Sequence, residues 1–307
     1  MIRVLGIGDN VCDKYLHTGT IYPGGNAMNI SVFSHFLGAE AAYLGVFGDD
    51  EVGEHIYSVV KDLGIDLSHC RFEHGENGLA RVQLIDGDRT FLPGNRGGIS
   101  RVKPPVLSGL DMEYISTFDL VHTSIYSSME HELERLGSCG VFLSMDFSNH
   151  GTEEYLRTWC PFVDAAIVSC GNAPMEEILA KIEAIKSYGC RHIVIATRGS
   201  KGAVVDVDGK IYEQSPCLVK AIDTLGAGDS FLCCFLVNYL DGMKNVKDFP
   251  VIGEMKGLTT VEDYKDALIK ISLYRAAVFS AEECSKYGSF GHGKVVGLTE
   301  EDRKVMK

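Results

Sequence analysis

Long apolar runs, basic residues and patterned cysteines are all scarce in this 307-residue chain. No stretch approaches the roughly 18 consecutive apolar residues that a membrane-spanning helix needs. Lys and Arg number 29 against 42 Asp and Glu, a formal net charge of −13. A nucleic-acid groove or an anionic-membrane face needs the opposite sign, so neither partner is expected. The ten cysteines form no CxxC, and the closest two, Cys233 and Cys234, are adjacent. That sparse, irregular spacing excludes a disulfide scaffold and reads as buried thiols in a reducing cytoplasm. None of the ten histidines falls at i, i+4 or in an HxH pair, which leaves no zinc-type pattern. The opening MIRVLGIGDN lacks an apolar stretch followed by a small-residue cleavage site, and reads as a first strand rather than a signal peptide. Repeats and low-complexity tracts are also missing. With 45% hydrophobic and 23% charged residues, the chain has globular composition, long enough for one large domain or two ordinary ones.

What is present is an alternation of short apolar runs and helical patterns. Val4–Ile7, Tyr43–Phe47, Asp119–His122, Val141–Asp146, Ala165–Ser169, His192–Ala196 and Ala203–Asp206 read as strands, rich in Val and Ile and bounded by Gly, Asp or Asn. Asn29–Leu37 reads as a helix with Val32, Phe33, Phe36 and Leu37 on one face. Met175–Ile185 reads as another, with Ile178, Leu179, Ile182 and Ile185 on one face. The alternation predicts an α/β fold with a mainly parallel sheet between two helical layers. Two segments break it. Residues 12–23 mix polar and apolar positions and end in Pro-Gly-Gly, and 78–92 alternates with period two around Asp86-Gly87, a β-hairpin pattern with a type I′ turn. Together they predict a small sheet standing off the core. Residues 244–261 read as a loop insertion between two helices, and the polar last dozen as a peripheral helix or frayed tail.

Three motifs carry chemistry. In Asp223-Thr-Leu-Gly-Ala-Gly-Asp229-Ser-Phe, the small residues Gly226, Ala227 and Gly228 precede an apolar, helix-length run from Ser230 to Val237. A small-residue turn that opens a helix aims backbone N–H groups and the positive dipole end at one spot, suited to an anion. Asp229, on the first turn, is placed to take a proton from a hydroxyl attacking a phosphoryl group. The plainer reading is close helix packing with Asp229 as a cap. In Gly24-Gly25-Asn26-Ala27-Met28-Asn29, the glycines admit a ligand and the amides suit sugar hydroxyls; alone the string also fits a capped loop. Thr197-Arg198-Gly199-Ser200-Lys201-Gly202 follows a strand directly, where an open α/β sheet binds ligands, and suits nucleotide phosphates; by itself it is also an ordinary turn.

In this order along the chain, the three motifs resemble the ribokinase-like, or PfkB, family of carbohydrate kinases. The resemblance implies a three-layer α/β/α core over residues 1–307 with a β-sheet lid formed by about 12–23 and 78–97. Asp229 matches the catalytic base, and Gly226, Ala227 and Gly228 the anion hole. Asp13, Gly24, Gly25, Asn26 and Asn29 match sugar-contacting positions. Thr197, Gly199, Lys201 and Gly202 match the ATP-side turn, which Arg198 accompanies. The family's Asn-x-x-Glu element, which organises Mg²⁺ and phosphate, is matched by Asn172 and Glu176 with one residue too many between them; Glu176 would reach the metal through water. The resemblance also implies ATP as cofactor, in some relatives a monovalent cation near Asp223, and in many a homodimer joined through the lid. Adenine contacts are expected from the neighbourhood of Phe279–Gly291.

Gly8-Asp9-Asn10 with Asp13 and Tyr15, the segment Val121–Tyr126, and Asp146-Phe147-Ser148 look like bacterial fructoselysine 6-kinases. A fructosamine carries a protonated secondary amine, which Asp9 or Asp146 would meet more naturally than a neutral sugar requires; their plainer roles are a cap at Asp9 and a strand end at Asp146. The expected activity is therefore ATP-dependent phosphorylation of a primary hydroxyl, O6 of fructoselysine or a related fructosamine, by a cytoplasmic enzyme. Fructokinase, ribokinase or another ketose or nucleoside kinase is the alternative within the family. A non-catalytic sugar or nucleotide sensor is the alternative outside it, disfavoured because a sensor needs no base. A dinucleotide-binding oxidoreductase is excluded: Gly6-Ile-Gly8-Asp-Asn-Val11 places Val11 where the third glycine belongs.

Overall fold

The computed structural model describes residues 1–85, 88–246 and 258–306. Its strands in chain order are β1 (Arg3–Gly8), β2 (Val11–Tyr15), β3 (Thr20–Gly24), β4 (Glu40–Gly48), β5 (Arg71–Glu73), β6 (Gly78–Ile85), β7 (Asp88–Leu92), β8 (Leu120–Ser124), β9 (Phe142–Asp146), β10 (Ala165–Ser169), β11 (Ile193–Thr197), β12 (Ala203–Val207), β13 (Lys210–Gln214) and β14 (Lys294–Val295). Among the described residues nine of them form one sheet in the order β13-β12-β11-β10-β9-β8-β1-β4-β5. From β11 to β5 every neighbouring pair is parallel, while β12 runs antiparallel to both its neighbours. All the strands expected from apolar runs lie in this sheet. The pattern missed its two edges: β5 is only three residues long, and β13, Lys-Ile-Tyr-Glu-Gln, is largely exposed and charged, as edge strands often are.

Strand side chains alternate between faces, and here both faces are covered. Ala165, Ile167, Ile193 and Ile195 enter one apolar cluster, whereas Ala166, Val168, Val194 and Ala196 enter the other. The first cluster lies under the helices Asn26–Phe36, Ala227–Lys244 and Val261–Glu283. The second includes Leu133 and Leu136 and the face Ile178, Ile182 and Ile185 of the helix Met175–Ser187. This is the expected three-layer core, with two local corrections. Leu179 is excluded from the buried stripe of its helix, at 39% exposure, because only three positions per two turns reach the sheet. The first helix begins at Asn26, is buried on nearly every side through Ser34, and leaves Phe36 exposed at its end. Ser230–Val237 is likewise buried all round, since other helices cover the side away from the sheet.

The second sheet has the order β14-β3-β2-β6-β7. β2 and β3 form one antiparallel pair and β6 and β7 another, with β2 and β6 parallel. Both expected lid segments are in it; the turn Asp86-Gly87 lies outside the described residues, as does 247–257 of the insertion between helices. The C-terminal stretch forms the expected short helix, exposed except at Asp302 and half-buried Val305, and it is anchored rather than frayed. β14 extends the lid sheet along β3, and the helix Glu300–Val305 carries Asp302, fully buried, onto Lys14 Nζ and Arg81 Nε (2.8 Å). Lys14 and Arg81 are themselves buried on lid strands and so require an anionic partner. At the junction of the two sheets, Asn10 Nδ2 donates to Tyr43 Oη and to the Val46 carbonyl, both at 2.9 Å, and Asn77 Nδ2 donates to Asn10 Oδ1 at 2.9 Å. Among the described residues no helix is long and apolar enough to cross a membrane.

Candidate active site

The carboxyl ends of β1, β8 and β9 lie side by side, with Gly6 opposite His122 and Ser124 opposite Asp146. Just beyond them the helix Asn26–Phe36 begins. Gly25 caps it at φ 113°, a conformation that favours glycine, and a β-carbon there would sit 2.8 Å from the Asp9 carbonyl oxygen. The capping carboxylate comes from Asp9, across the chain. Its Oδ2 accepts from Asn26 N at 2.6 Å, and its Oδ1 from Ala27 N (3.3 Å), Ser124 Oγ (3.0 Å) and Ser127 Oγ (2.6 Å). Asp9 is thus buried and committed to four donors.

Asn26 is the centre of the site. Its Nδ2 donates to Asp146 Oδ2 and to Asp229 Oδ1, both at 2.9 Å, and its Oδ1 lies 2.7 Å from His122 Nε2. An amide oxygen only accepts, so Nε2 carries the proton. His122 is fully buried, which lowers its pKa to about 3, so the ring is neutral and its Nδ1 accepts from Ser144 Oγ at 2.8 Å. The relay Ser144–His122–Asn26 therefore fixes which end of the amide faces the carboxylates. Asn29 donates to Asp229 Oδ2 at 2.5 Å and to Ser289 Oγ at 3.2 Å. Asn29 Oδ1 is buried with no hydrogen-bond partner, an acceptor that a ligand hydroxyl would satisfy. Asp13 Oδ2, Ser289 Oγ and Asn29 Oδ1 all lie within 3.6 Å of the point a β-carbon on Gly24 would occupy, so this glycine leaves a polar-lined space.

Burial, then the charge of Asp146, pushes Asp229 up to about 8, with Asp9 and Asp13 adding to the rise and the Asn29 amide opposing it. Burial likewise raises Asp146 to about 6. Carboxyl groups are concentrated here, and among the described residues the hydrogen-bond donors to Asp9, Asp146 and Asp229 are neutral: amides, hydroxyls and backbone N–H groups.

Asp229 lies in the first turn of the helix Ala227–Lys244, whose leading N–H groups lack intrahelical partners. Gly226 caps it at φ 72°, and a β-carbon there would press on Ser289 Cβ at 2.9 Å. Ala227 N turns back to the Thr224 carbonyl at 3.3 Å, whereas Gly228 faces open space. Gly228 also borders a cavity of about 540 Å³. Thr197, Gly199 and Gly202 line the same cavity, as the sequence expects of the phosphate-side turn. Its other wall is apolar: Leu218 and Val219 from the segment after β13, Phe231, and Ala277, Ala281 and Cys284 from the last long helix and its end. The segment 215–221 was not legible in the sequence, having no periodicity. The expected adenine neighbourhood, Phe279–Gly291, supplies only its first part, Ser280, Ala281 and Cys284. Arg198, Lys201 and Asn172 are not among the lining residues, and Asn172 and Glu176 are exposed. Cys217, expected to be buried with the other thiols, is exposed at the cavity wall.

Asp223 accepts from Leu225 N (3.0 Å), Gly288 N (2.9 Å) and Tyr15 Oη, which ties a lid strand to the glycine-rich turn. Among the described residues no group of three or more His, Cys, Asp or Glu is arranged to hold a metal ion unaided.

Comparison with known proteins gives a consistent result. Residues 2–248 match the pfkB family of carbohydrate kinases. The chain is 36% identical over 294 residues to fructosamine kinase FrlD of Bacillus subtilis, covering 95% of this chain and 94% of that one. It is 31% identical over 239 residues to fructoselysine 6-kinase of Escherichia coli, covering 77% and 89%. Among solved structures, aminoimidazole riboside kinase from Salmonella enterica, complexed with aminoimidazole riboside and an ATP analogue, superposes with a TM-score of 0.67 at 17% identity over 99% of this chain and 100% of that one.

Proposed function

The chain belongs to the pfkB family of carbohydrate kinases, and from that premise we propose that it phosphorylates O6 of a fructosamine, a ketose bearing a protonated amine, with ATP as donor. The observation that carries this reading is the pairing of Asp229 with Asp146 through one amide, in a site where both carboxyls are held above their ordinary range. Asp229 at about 8 is mostly protonated near neutrality and a poor base in the empty site. A substrate ammonium beside Asp146 stabilises the ionised forms of both carboxyls and returns Asp229 to its basic form. A neutral sugar does not. The likeness to a fructosamine kinase and a fructoselysine 6-kinase supports the same substrate class.

In the reaction, the 6-hydroxyl lies against Asp229, with Asn29 Oδ1 and Asp13 engaging other sugar hydroxyls. The O6–phosphorus bond forms as the bond from the γ-phosphorus to the bridging oxygen breaks. The hydroxyl proton passes to Asp229, and ADP leaves. The N–H groups at Gly228 and Asp229, at the positive end of their helix, stabilise the transferred group. The nucleotide occupies the cavity between Gly228 and the Thr197–Gly202 turn, with its base against the apolar wall. A magnesium ion would neutralise charge on the phosphoryl oxygens. Glu176, an exposed carboxylate, would help to hold that ion through water, with the phosphates as its other ligands. The lid sheet excludes water, which would otherwise consume ATP.

The test is ADP release measured over fructoselysine, fructose, ribose and 2-keto-3-deoxygluconate. Fructoselysine is expected to give the highest kcat/KM. A neutral sugar turned over with equal or greater efficiency overturns the substrate assignment, and tight sugar binding without any phosphoryl transfer revives the sensor.

A further inference from the structure

Beyond Asp146 the contacts continue outward to the surface. Asp146 Oδ2 faces Asn26 and the base, while Oδ1 accepts from Ser148 N at 2.7 Å. Ser148 Oγ in turn accepts from Tyr126 Oη at 2.8 Å, and the Tyr126 ring meets His150 edge-on at a centroid distance of 6.0 Å. The loops after β8 and β9 are joined here, since Ile125 N donates to the Asp146 carbonyl at 2.8 Å. Each loop contains a serine in the left-handed region, Ser128 at φ 55° and Ser148 at φ 53°. Such conformations are costly outside glycine and persist where the surroundings impose them, often at ligand sites. Tyr126 is 49% exposed, a large aromatic ring left open to solvent. Its hydroxyl is nonetheless pushed up by burial, against the Ser148 hydrogen bond, with the charges of Asp146, Asp9 and Asp229 adding to the rise.

We propose that Tyr126, flanked by Ser148 and His150, is the subsite for the amine-bearing substituent of the sugar and the residue that separates N-substituted fructosamines from free ketoses. The inference rests on the reading of Asp229 and Asp146 given above. With O6 on Asp229, the opposite end of a six-carbon ketose points away from the base, along the line Asn26, Asp146, Ser148, Tyr126. That end carries the amine. Asp146 supplies the opposite charge, and the open face of Tyr126 supplies a π surface for the ammonium and for the alkyl chain attached to it. The substituent leaves the protein where Tyr126 and His150 are exposed, so substituents of different length are accommodated.

Steady-state kinetics on fructoselysine, 1-amino-1-deoxyfructose and fructose, for wild type, Tyr126→Ala, Tyr126→Phe and His150→Ala, test this. Tyr126→Ala is expected to raise KM for fructoselysine about tenfold with kcat nearly unchanged, and to alter KM for fructose less than about twofold. Tyr126→Phe keeps the ring and is expected to stay near wild type. His150→Ala, at an exposed residue, gives a smaller KM increase confined to the substituted sugar and serves if Tyr126→Ala does not fold. Equal KM changes for substituted and free sugars in these variants overturn the subsite and make Tyr126 a general support of the loop. Wild type that fails to prefer either amine-bearing sugar over fructose overturns the underlying reading and the subsite with it. Wild type that prefers both amines equally, with Tyr126→Ala indifferent, overturns the subsite alone.

Discussion

Replacing Asp146 with asparagine removes one charge from the pair without removing the hydrogen-bonding shape, and its effect on Asp229 follows from geometry. Asn26 Nδ2 lies 2.9 Å from an oxygen of each carboxylate, so the two oxygens are at most about 6 Å apart. At an effective dielectric of about 20, unit charges at that separation repel by about 3 kcal/mol, or about two pKa units. Asp146, at about 6, is ionised where Asp229, at about 8, titrates, so the repulsion acts on the second ionisation. Burial still holds Asp229 above its ordinary range in the variant. The assay is the pH dependence of kcat/KM for fructoselysine, which reports the free enzyme. Ionisation of the substrate amine is common to both enzymes and drops out of the comparison. The acidic limb of wild type is expected near pH 8, and that of Asp146→Asn one to two units lower, whatever the loss in absolute rate. A limb that stays in place, or moves upward, refutes the electrostatic coupling and with it the argument that a cationic substrate activates the base.

Asp229→Asn is expected to retain sugar and nucleotide binding by calorimetry while kcat falls by about 10²–10⁴, the usual worth of a general base. The same variant should melt above wild type at alkaline pH. A carboxyl raised from 3.8 to about 8 imposes a cost that is absent below about pH 4 and complete above about pH 8, and asparagine has none to lose. Asp302→Ala leaves Lys14 buried without its anion and Arg81 with the exposed Glu301 carboxylate alone, so urea unfolding should show a loss of about 3 kcal/mol, accompanied by a raised KM for sugar as the lid loosens. The Asp302 carboxyl is held well below the ordinary range by its hydrogen bonds to Lys14, Arg81 and Thr299, against the opposing effect of burial. This contribution is therefore present near neutrality and fades as the pH falls below about 4. Cys217, exposed at the cavity wall, should be alkylated by maleimide in the free enzyme and protected by ATP, as read by peptide mass spectrometry; unchanged labelling at saturating ATP would place the nucleotide elsewhere.

The parts of the site that could be read from sequence are those in which a few consecutive residues place a side chain. Gly-Gly-Asn and Gly-Ala-Gly-Asp each combine a glycine that adopts a positive φ with a polar side chain on the first helical turn, so Asn26, Asn29 and Asp229 are fixed locally. His122 and Ser144 could not be read the same way. Their place in the relay depends on the registers of β1, β8 and β9, and on pairings between residues as distant as His122 and Asn26. Asp9 admitted two readings, ligand carboxylate or cap; its bonds to Asn26 N and Ala27 N make it a cap, and Ser124, at the end of β8, and Ser127 add donors that no local pattern foretells. Lys14 and Arg81 look like solvent-facing positions in alternating strands; Asp302, more than 200 positions away, is what turns them inward.

The charge of the chain takes on meaning only at this level. A net −13 is an average over the surface and says little about a pocket. What distinguishes the pocket is that the donors to Asp9, Asp146 and Asp229 are amides, hydroxyls and backbone N–H groups, whereas the buried cations Lys14 and Arg81 are spent on Asp302 and Glu301. A site of buried and half-buried carboxylates held by neutral donors is short of positive charge. On the reading proposed above, one substrate ammonium entering past Tyr126 would both offset that deficit and free the base to act. Substrate selection and base activation would then be a single electrostatic event.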